Sequence, residues 1–256
     1  MKPKILIIIA AVGAVAAITS AFITVKAPAD KGFAVVELFT SEGCSSCPPA
    51  DALVAKIQKE SAGKPVYILA FHVDYWDRLG WKDAFSDAAY TNRQRQYARW
   101  LKSSELYTPQ AIVNGTKEMV GSEESKLRTT INGDLQNASK TELTLTVAKT
   151  AGNKASLKYQ ASGTTAGSSL VIALIEKNAT TKVLKGENAG RTISHVQIVR
   201  ELQTTALNDR SSGTASIALP AGFSPEAFEV IGFVQNTSNG AITGAAKAEF
   251  SATLSK

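Results

Sequence analysis

The chain changes its hydrophobic rhythm once, near Asn137, and that change limits the folds open to it. Before it, apolar strand-like runs alternate with segments of helical spacing; after it, helical spacing disappears and strict alternation takes over. Leu143, Leu145 and Val147 alternate, then Ala155, Leu157 and Tyr159, and further strand-like runs occupy residues 170–176, 196–202, 215–219, 228–235 and 245–250. Period-2 alternation gives each strand one face for a core. Seven short strands separated by turn residues therefore predict an all-β, sandwich-like domain over residues 138–256. Hydrophobic residues make up 44% and charged residues 20% of the 256, which excludes a disordered chain. The net charge of +6 is scattered, with no basic stripe carrying stacking aromatics, so no nucleic-acid partner is expected.

Residues 1–27 are unlike the rest. Lys2 and Lys4 precede an apolar stretch over residues 5–17, and Thr19, Ser20 and Ala21 supply small residues where a signal peptidase could cut. The uncharged run over residues 5–25 also approaches the roughly 20 residues that cross a bilayer, so membrane anchoring through this segment stays open. Either way the remainder is expected in the periplasm or secreted. With no cysteine in the leader, a lipid on an N-terminal cysteine has no site.

Cys44 and Cys47 are the whole cysteine complement, spaced C-x-x-C. So short a loop makes a poor structural staple, because a disulfide stabilises mainly by closing a long loop in the unfolded chain. A structural zinc site wants four ligands, and the chain has just two histidines to add. Residues 33–39 form a β-rich run before the pair, while Leu53, Val54 and Ile57 follow it at helical spacing, giving the order strand, C-x-x-C, helix. Pro48 and Pro49 suit the first helical turn. Cys44 is then expected at a helix N-terminus, where amides and dipole favour a thiolate, as the attacking sulfur. Cys47, more enclosed, is expected to resolve the mixed disulfide.

With those residues in place, the sequence resembles the thioredoxin superfamily, and the segment Tyr107-Thr108-Pro109-Gln110 adds to the likeness. The resemblance implies an α/β domain over residues 31–136, a central mixed sheet with flanking helices, in which Thr108 and a cis Pro109 face the two sulfurs. The stretch from Glu37 to Asp51, with Phe71-His72-Val73-Asp74-Tyr75-Trp76, is similar to exported bacterial proteins of the DUF1223 group. That closer likeness spans residues 33–122 and, loosely, the segment Gly186-Glu187-Asn188-Ala189-Gly190-Arg191-Thr192. Two departures stand out. Thioredoxins carry an acidic strand residue six positions before the first cysteine, where this chain has Leu38, with Glu37 one position earlier and so on the opposite strand face. Gly43 replaces the tryptophan that often precedes the first cysteine.

His72 and Asp74 end an apolar strand over residues 66–74, the edge where ligands collect in open α/β sheets. His72 reads either as a hydrogen-bonded core residue or as a group near the sulfurs. Tyr75, Trp76 and Trp81 read either as a roof over the sulfurs or as a local apolar cluster, and the arginines of a helix near residues 87–102 read as a solvated face. Around Gly186 and Gly190 a tight turn is expected, with Glu187, Arg191 and His195 meeting the first domain. No Walker or dinucleotide glycine pattern occurs, so no cofactor is expected.

Taken together these readings predict an extracytoplasmic thiol-disulfide oxidoreductase or redox-partner protein, with Cys44, Cys47, Thr108 and Pro109 as site residues and a protein or small thiol or disulfide as substrate. The alternative is binding without redox turnover, of a protein or of copper through Cys44, Cys47 and His72.

Overall fold

The computed structural model describes residues 32–207 and 212–251. The expected leader, residues 1–27, lies outside them. Among the described residues no helix is long and apolar enough to cross a membrane.

Among the described residues eleven strands and three α-helices follow one another, and the strands do not divide into an α/β domain and a separate sandwich. One eight-stranded mixed sheet runs in the order β11-β10-β7-β8-β2-β1-β3-β4. Its one end holds β1 (Ala34–Thr40), β2 (Val66–His72), β3 (Gln110–Val113) and β4 (Lys117–Val120). The other end holds β7 (Ser168–Lys182), β8 (Thr192–Ala206), β10 (Phe228–Asn236) and β11 (Ile242–Glu249). The join is a parallel β2–β8 pairing at Ala70 and Ile198. This overturns the expected thioredoxin-like domain followed by a β-sandwich: both halves of the chain build the same sheet. Alternation shows which face of a strand is buried, and nothing in it says which edge bonds to which neighbour.

Burial of the central strands explains the merger. Residues from Ser168 to Ile175 and from Phe228 to Gln235 are buried without alternation, because helices or strands cover both sheet faces there. On one face α2 (Ala88–Leu101) spans the junction, packing Tyr90 and Tyr97 against Phe39 and Phe71 from one half and Val171, Ile231 and Phe233 from the other. On the opposite face α1 (Pro48–Glu60) and α3 (Glu124–Gln136) cover Val36, Leu38 and Ile112's neighbours Ala111 and Val113. Farther along that face, a three-stranded sheet of β5 (Glu142–Ala151), β6 (Lys154–Ser162) and β9 (Ser212–Ala218) packs Leu145, Leu157 and Tyr159 onto Leu170, Ile172 and Val230. Sandwich packing thus exists, with the large shared sheet as one of its two layers.

β1 shows the two faces clearly. Val36 and Leu38 join the α1 side, whereas Glu37 and Phe39 point to the α2 side. Glu37 is fully buried and pairs with Arg93 of α2, Nε to Oε2 at 2.5 Å and Nη2 to Oε1 at 2.9 Å, while Tyr97 also donates to it. Arg93 is therefore no part of a solvated face, unlike exposed Arg95 and Arg99 on the same helix. It lies over the rings of Phe71, Tyr97 and Phe233, at 5.1 to 5.5 Å.

Two strands reach past the sheet. β7 loses its β10 partner after Glu176 but stays paired with β8 to Lys182, opposite Thr192. This ribbon carries the connecting loop, residues 183–191, to the cysteines.

Candidate disulfide site

β1 ends at Thr40, level with His72 of β2, and the next seven residues turn into α1. Cys44 and Cys47 lie in that turn as a disulfide, with Cα atoms 5.4 Å apart. The turn is held by its own backbone: Cys44 N–H donates to Ser41 O at 3.2 Å and Cys47 N–H to Cys44 O at 3.2 Å. Pro48 and Pro49 open α1, as expected. The expected helix-terminal position falls to Cys47, the N-cap, and Cys44 stands three residues earlier. Exposure does not separate the sulfurs either, since Cys44 is 1% and Cys47 0% exposed. Ser45 and Ser46 between them form an exposed rim.

The Tyr107–Gln110 segment does meet the pair. The Thr108–Pro109 bond is cis, and Thr108 O lies 3.8 Å from Cys44 Sγ. That is a contact, because a disulfide sulfur carries no proton to donate. Trp76 Nε1 donates to Thr108 Oγ1 at 2.9 Å, and its Cβ would lie 3.1 Å from a side chain at position 43. Trp76 thus packs on Gly43 and ties the cysteine turn to the Thr108 segment. Trp81 donates to Glu42 Oε2 at 2.8 Å.

The 183–191 loop is the third wall. Gly186 and Gly190, with φ of 78° and 82°, take the left-handed conformations that let it fold back on itself. Val183 and Arg191 close its neck by backbone bonding. At its tip, fully buried Asn188 donates through Nδ2 to Glu42 O and to Cys44 O, both at 2.9 Å. Arg191 Nη1 donates to Asn188 Oδ1 at 2.8 Å, and Ser45 N–H donates to Glu187 Oε2 at 3.0 Å. Glu187 and His195 reach the first half of the chain as the sequence suggested, whereas Arg191 bonds to Asn188 within its own loop. Asn188, the centre of this contact, carried no signal beyond its glycine-flanked setting.

Beside the turn lies a buried ionisable cluster. His72 Nδ1 is 2.7 Å from Asp83 Oδ2, which also accepts from Glu42 N–H at 2.8 Å. His195 of β8 stacks edge-on to His72, with Nε2 3.3 Å from Glu42 Oε1 but without the alignment of a hydrogen bond. Asp51 of α1 accepts from Thr40 Oγ1 at 2.9 Å. Burial opposes charge on His72, yet Asp83, Asp51 and Glu42 outweigh it and hold its pKa above the ordinary value. Burial likewise opposes charge on Asp83, and His72 overcomes that to keep the carboxyl acidic. Asp51 has its pKa raised, because burial there exceeds the help of both histidines. The core reading of His72 holds, with a carboxylate partner. Asp83, Glu42 and Asp51 were missed, since acidic residues in loops and helix starts usually face solvent.

The copper set is not assembled: the sulfurs are bonded to each other and His72 is bonded to Asp83. Among the described residues no group of three or more His, Cys, Asp or Glu could hold a metal ion.

A family model described as protein of unknown function (DUF1223) matches residues 35–235, spanning both halves of the chain and every residue of this site. The chain belongs to the DUF1223 family. No curated protein matches it. Among solved structures, the DUF1223 chain is similar to a structural-genomics protein from Agrobacterium tumefaciens, at 28% identity and a TM-score of 0.64, over 87% of this chain and 96% of that one. It is also similar in fold to HBP35 of Porphyromonas gingivalis, at 17% identity and a TM-score of 0.61, over 87% of this chain and 78% of that one.

Proposed function

We propose that this DUF1223 protein is a thiol-disulfide exchange protein that works outside the cytoplasm on protein or small-molecule thiols and disulfides. One observation carries the reading: the only two cysteines of the chain are joined across two exposed serines, at the start of a helix, with one sulfur against the Thr108 carbonyl. A disulfide closing so short a loop adds little stability for its cost in geometry, so chemistry is its better use. The leader over residues 1–27 supports export, and exported compartments are where disulfides persist.

In one direction a dithiol reductant supplies the electrons. Its thiolate attacks one sulfur of the Cys44–Cys47 bond, the other cysteine leaves as thiolate, and the reductant's second thiol releases the protein as a dithiol and itself closes to a disulfide. In the reverse direction Cys44 thiolate attacks one sulfur of a substrate disulfide and the other sulfur leaves as thiolate; Cys47 thiolate then attacks Cys44, closes the Cys44–Cys47 bond and expels the second substrate sulfur, so the substrate departs reduced to two thiols. The Thr108 carbonyl, at the cis bond to Pro109, lies against the Cys44 sulfur, and Trp76 fixes Thr108 for that contact.

The experiment is a trap. Purified mature protein with Cys47→Ser, mixed with a disulfide-bearing peptide, should accumulate a mixed disulfide through Cys44, and Cys44→Ser should not. Failure of the parent to exchange with any dithiol, alongside failure of the trap, removes the reading.

A further inference from the structure

We propose that the β7–β8 loop is a working part of the cysteine site, in which Asn188 fixes the shape of the turn and the Glu187 carboxylate opposes negative charge on the Cys44 sulfur, so that the loop favours the disulfide over the dithiol. The inference rests on the exchange reading above and gives that site its redox bias.

A thiolate at the start of a helix normally draws on the unpaired amides of the first turn. Here Pro48 and Pro49 occupy the first two helical positions and have no N–H to offer. The next two amides, of Ala50 and Asp51, are spent on Cys47 O at 2.9 and 3.1 Å. Cys47 N–H is spent on Cys44 O at 3.2 Å. Of the two serine amides between the sulfurs, the one next to Cys44, Ser45 N–H, donates to Glu187 Oε2 at 3.0 Å. The Ser45 amide and hydroxyl together hold the Glu187 carboxyl below its ordinary range, so it is a full anion at neutral pH. A negative charge next to Cys44 disfavours a second one on the sulfur.

The consequence has a definite sign. Destabilising the thiolate destabilises the reduced protein at neutral pH, which makes the disulfide harder to reduce and its potential more negative; a stabilised reduced form does the reverse. Asn188 acts on the same balance through shape. Its two bonds to Glu42 O and Cys44 O hold the carbonyls that flank the turn in the disulfide form. The other ionisable groups around the turn are Glu42, Asp51, His72, Asp83, His195 and Arg191, and every one of them is kept in the Glu187 variants.

The test equilibrates the mature protein with reduced and oxidised dithiothreitol, one S–S bond being exchanged for another, and reads the dithiol fraction. Glu187 is exposed, so its variants should fold. Glu187→Gln keeps an acceptor for Ser45 and removes the charge, and is expected to favour the dithiol about three- to tenfold, up to about 30 mV by the two-electron conversion. Glu187→Ala also frees the amide and should shift the ratio at least as far. In the reduced protein, alkylation of Cys44 should begin at lower pH in both variants, a change that a purely structural contact would not produce. A ratio within twofold of the parent, or a shift toward the disulfide, overturns the inference. If the variants shift as expected but the parent exchanges with no protein or peptide partner, the exchange function falls and the role of Glu187 stands.

Discussion

The imidazoles of His72 and His195, the only two histidines in the chain, lie with ring centroids 4.8 Å apart, one from β2 and the other from β8. Each half of the chain contributes one ring, so the contact exists only because β8 pairs with β2 in a shared sheet. Three carboxylates, Glu42, Asp51 and Asp83, surround the pair. The cysteine turn is thus built against a charged interior, with Glu42 belonging to both.

Stability should depend on pH through this cluster. His72 has its folded pKa above the ordinary 6.5, so its contribution is fully present below that value and is lost as pH rises through the folded one. Asp51, whose folded pKa is raised above 3.8, adds a penalty that grows as pH rises between those two values. Asp83 is held below 3.8, so its contribution is present above 3.8 and is lost as pH falls through its folded value. Urea unfolding of the oxidised protein should therefore show falling stability from weakly acidic to mildly alkaline pH. In His72→Gln that alkaline decline should flatten; an unchanged slope would count against a charged His72.

Glu37 and Arg93 carry the second buried charge pair, on the other face of β1. Removing one partner strands the other. Arg93→Met should cost about 3–5 kcal/mol in chemical denaturation, and combining it with Glu37→Gln should recover a large part of that loss. A double variant no more stable than Arg93→Met alone would show that the arginine acts through its packing on Phe71 and Phe233.

The sequence made the strands legible and their partners illegible. All seven strand-like runs read after Asn137 are strands in the structure, β5 to β11, and the helix read near residues 87–102 is α2, capped by Asp87. What local rhythm could not carry was the pairing of β8 with β2, a contact between residues 128 positions apart at Ala70 and Ile198. The unbroken apolar runs of β7 and β10 held a clue, since a strand buried on both faces needs cover on both. Cys44, Cys47 and the Thr108–Pro109 segment were visible because their residue types are rare and chemically distinct. Asn188 and Arg93 were not, because an asparagine between glycines and an arginine on a helix are ordinary on surfaces, and here only tertiary pairing buries them.

Gly121 offers a test of how tightly the site is packed. Its N–H donates to Pro109 O at 2.8 Å, and a Cβ there would lie 2.7 Å from Leu38 Cδ1 and 3.2 Å from the Cβ atoms of Ala50 and Pro109. The Leu38 tip can move. Ala50 sits on the first turn of α1, three residues after Cys47, and Pro109 is the residue behind the Thr108 contact, so these two can yield only by moving the walls of the disulfide. Gly121→Ala is expected to cost about 1–3 kcal/mol of stability and to slow exchange with a dithiol. Gly133, inside α3 with open space where its Cβ would go, is the matching control: Gly133→Ala should gain about 0.5–1 kcal/mol and leave exchange alone. If Gly121→Ala loses stability yet exchanges at the parent rate, the Pro109 segment does not shape access to the sulfurs, and the role given to Thr108 loses its support.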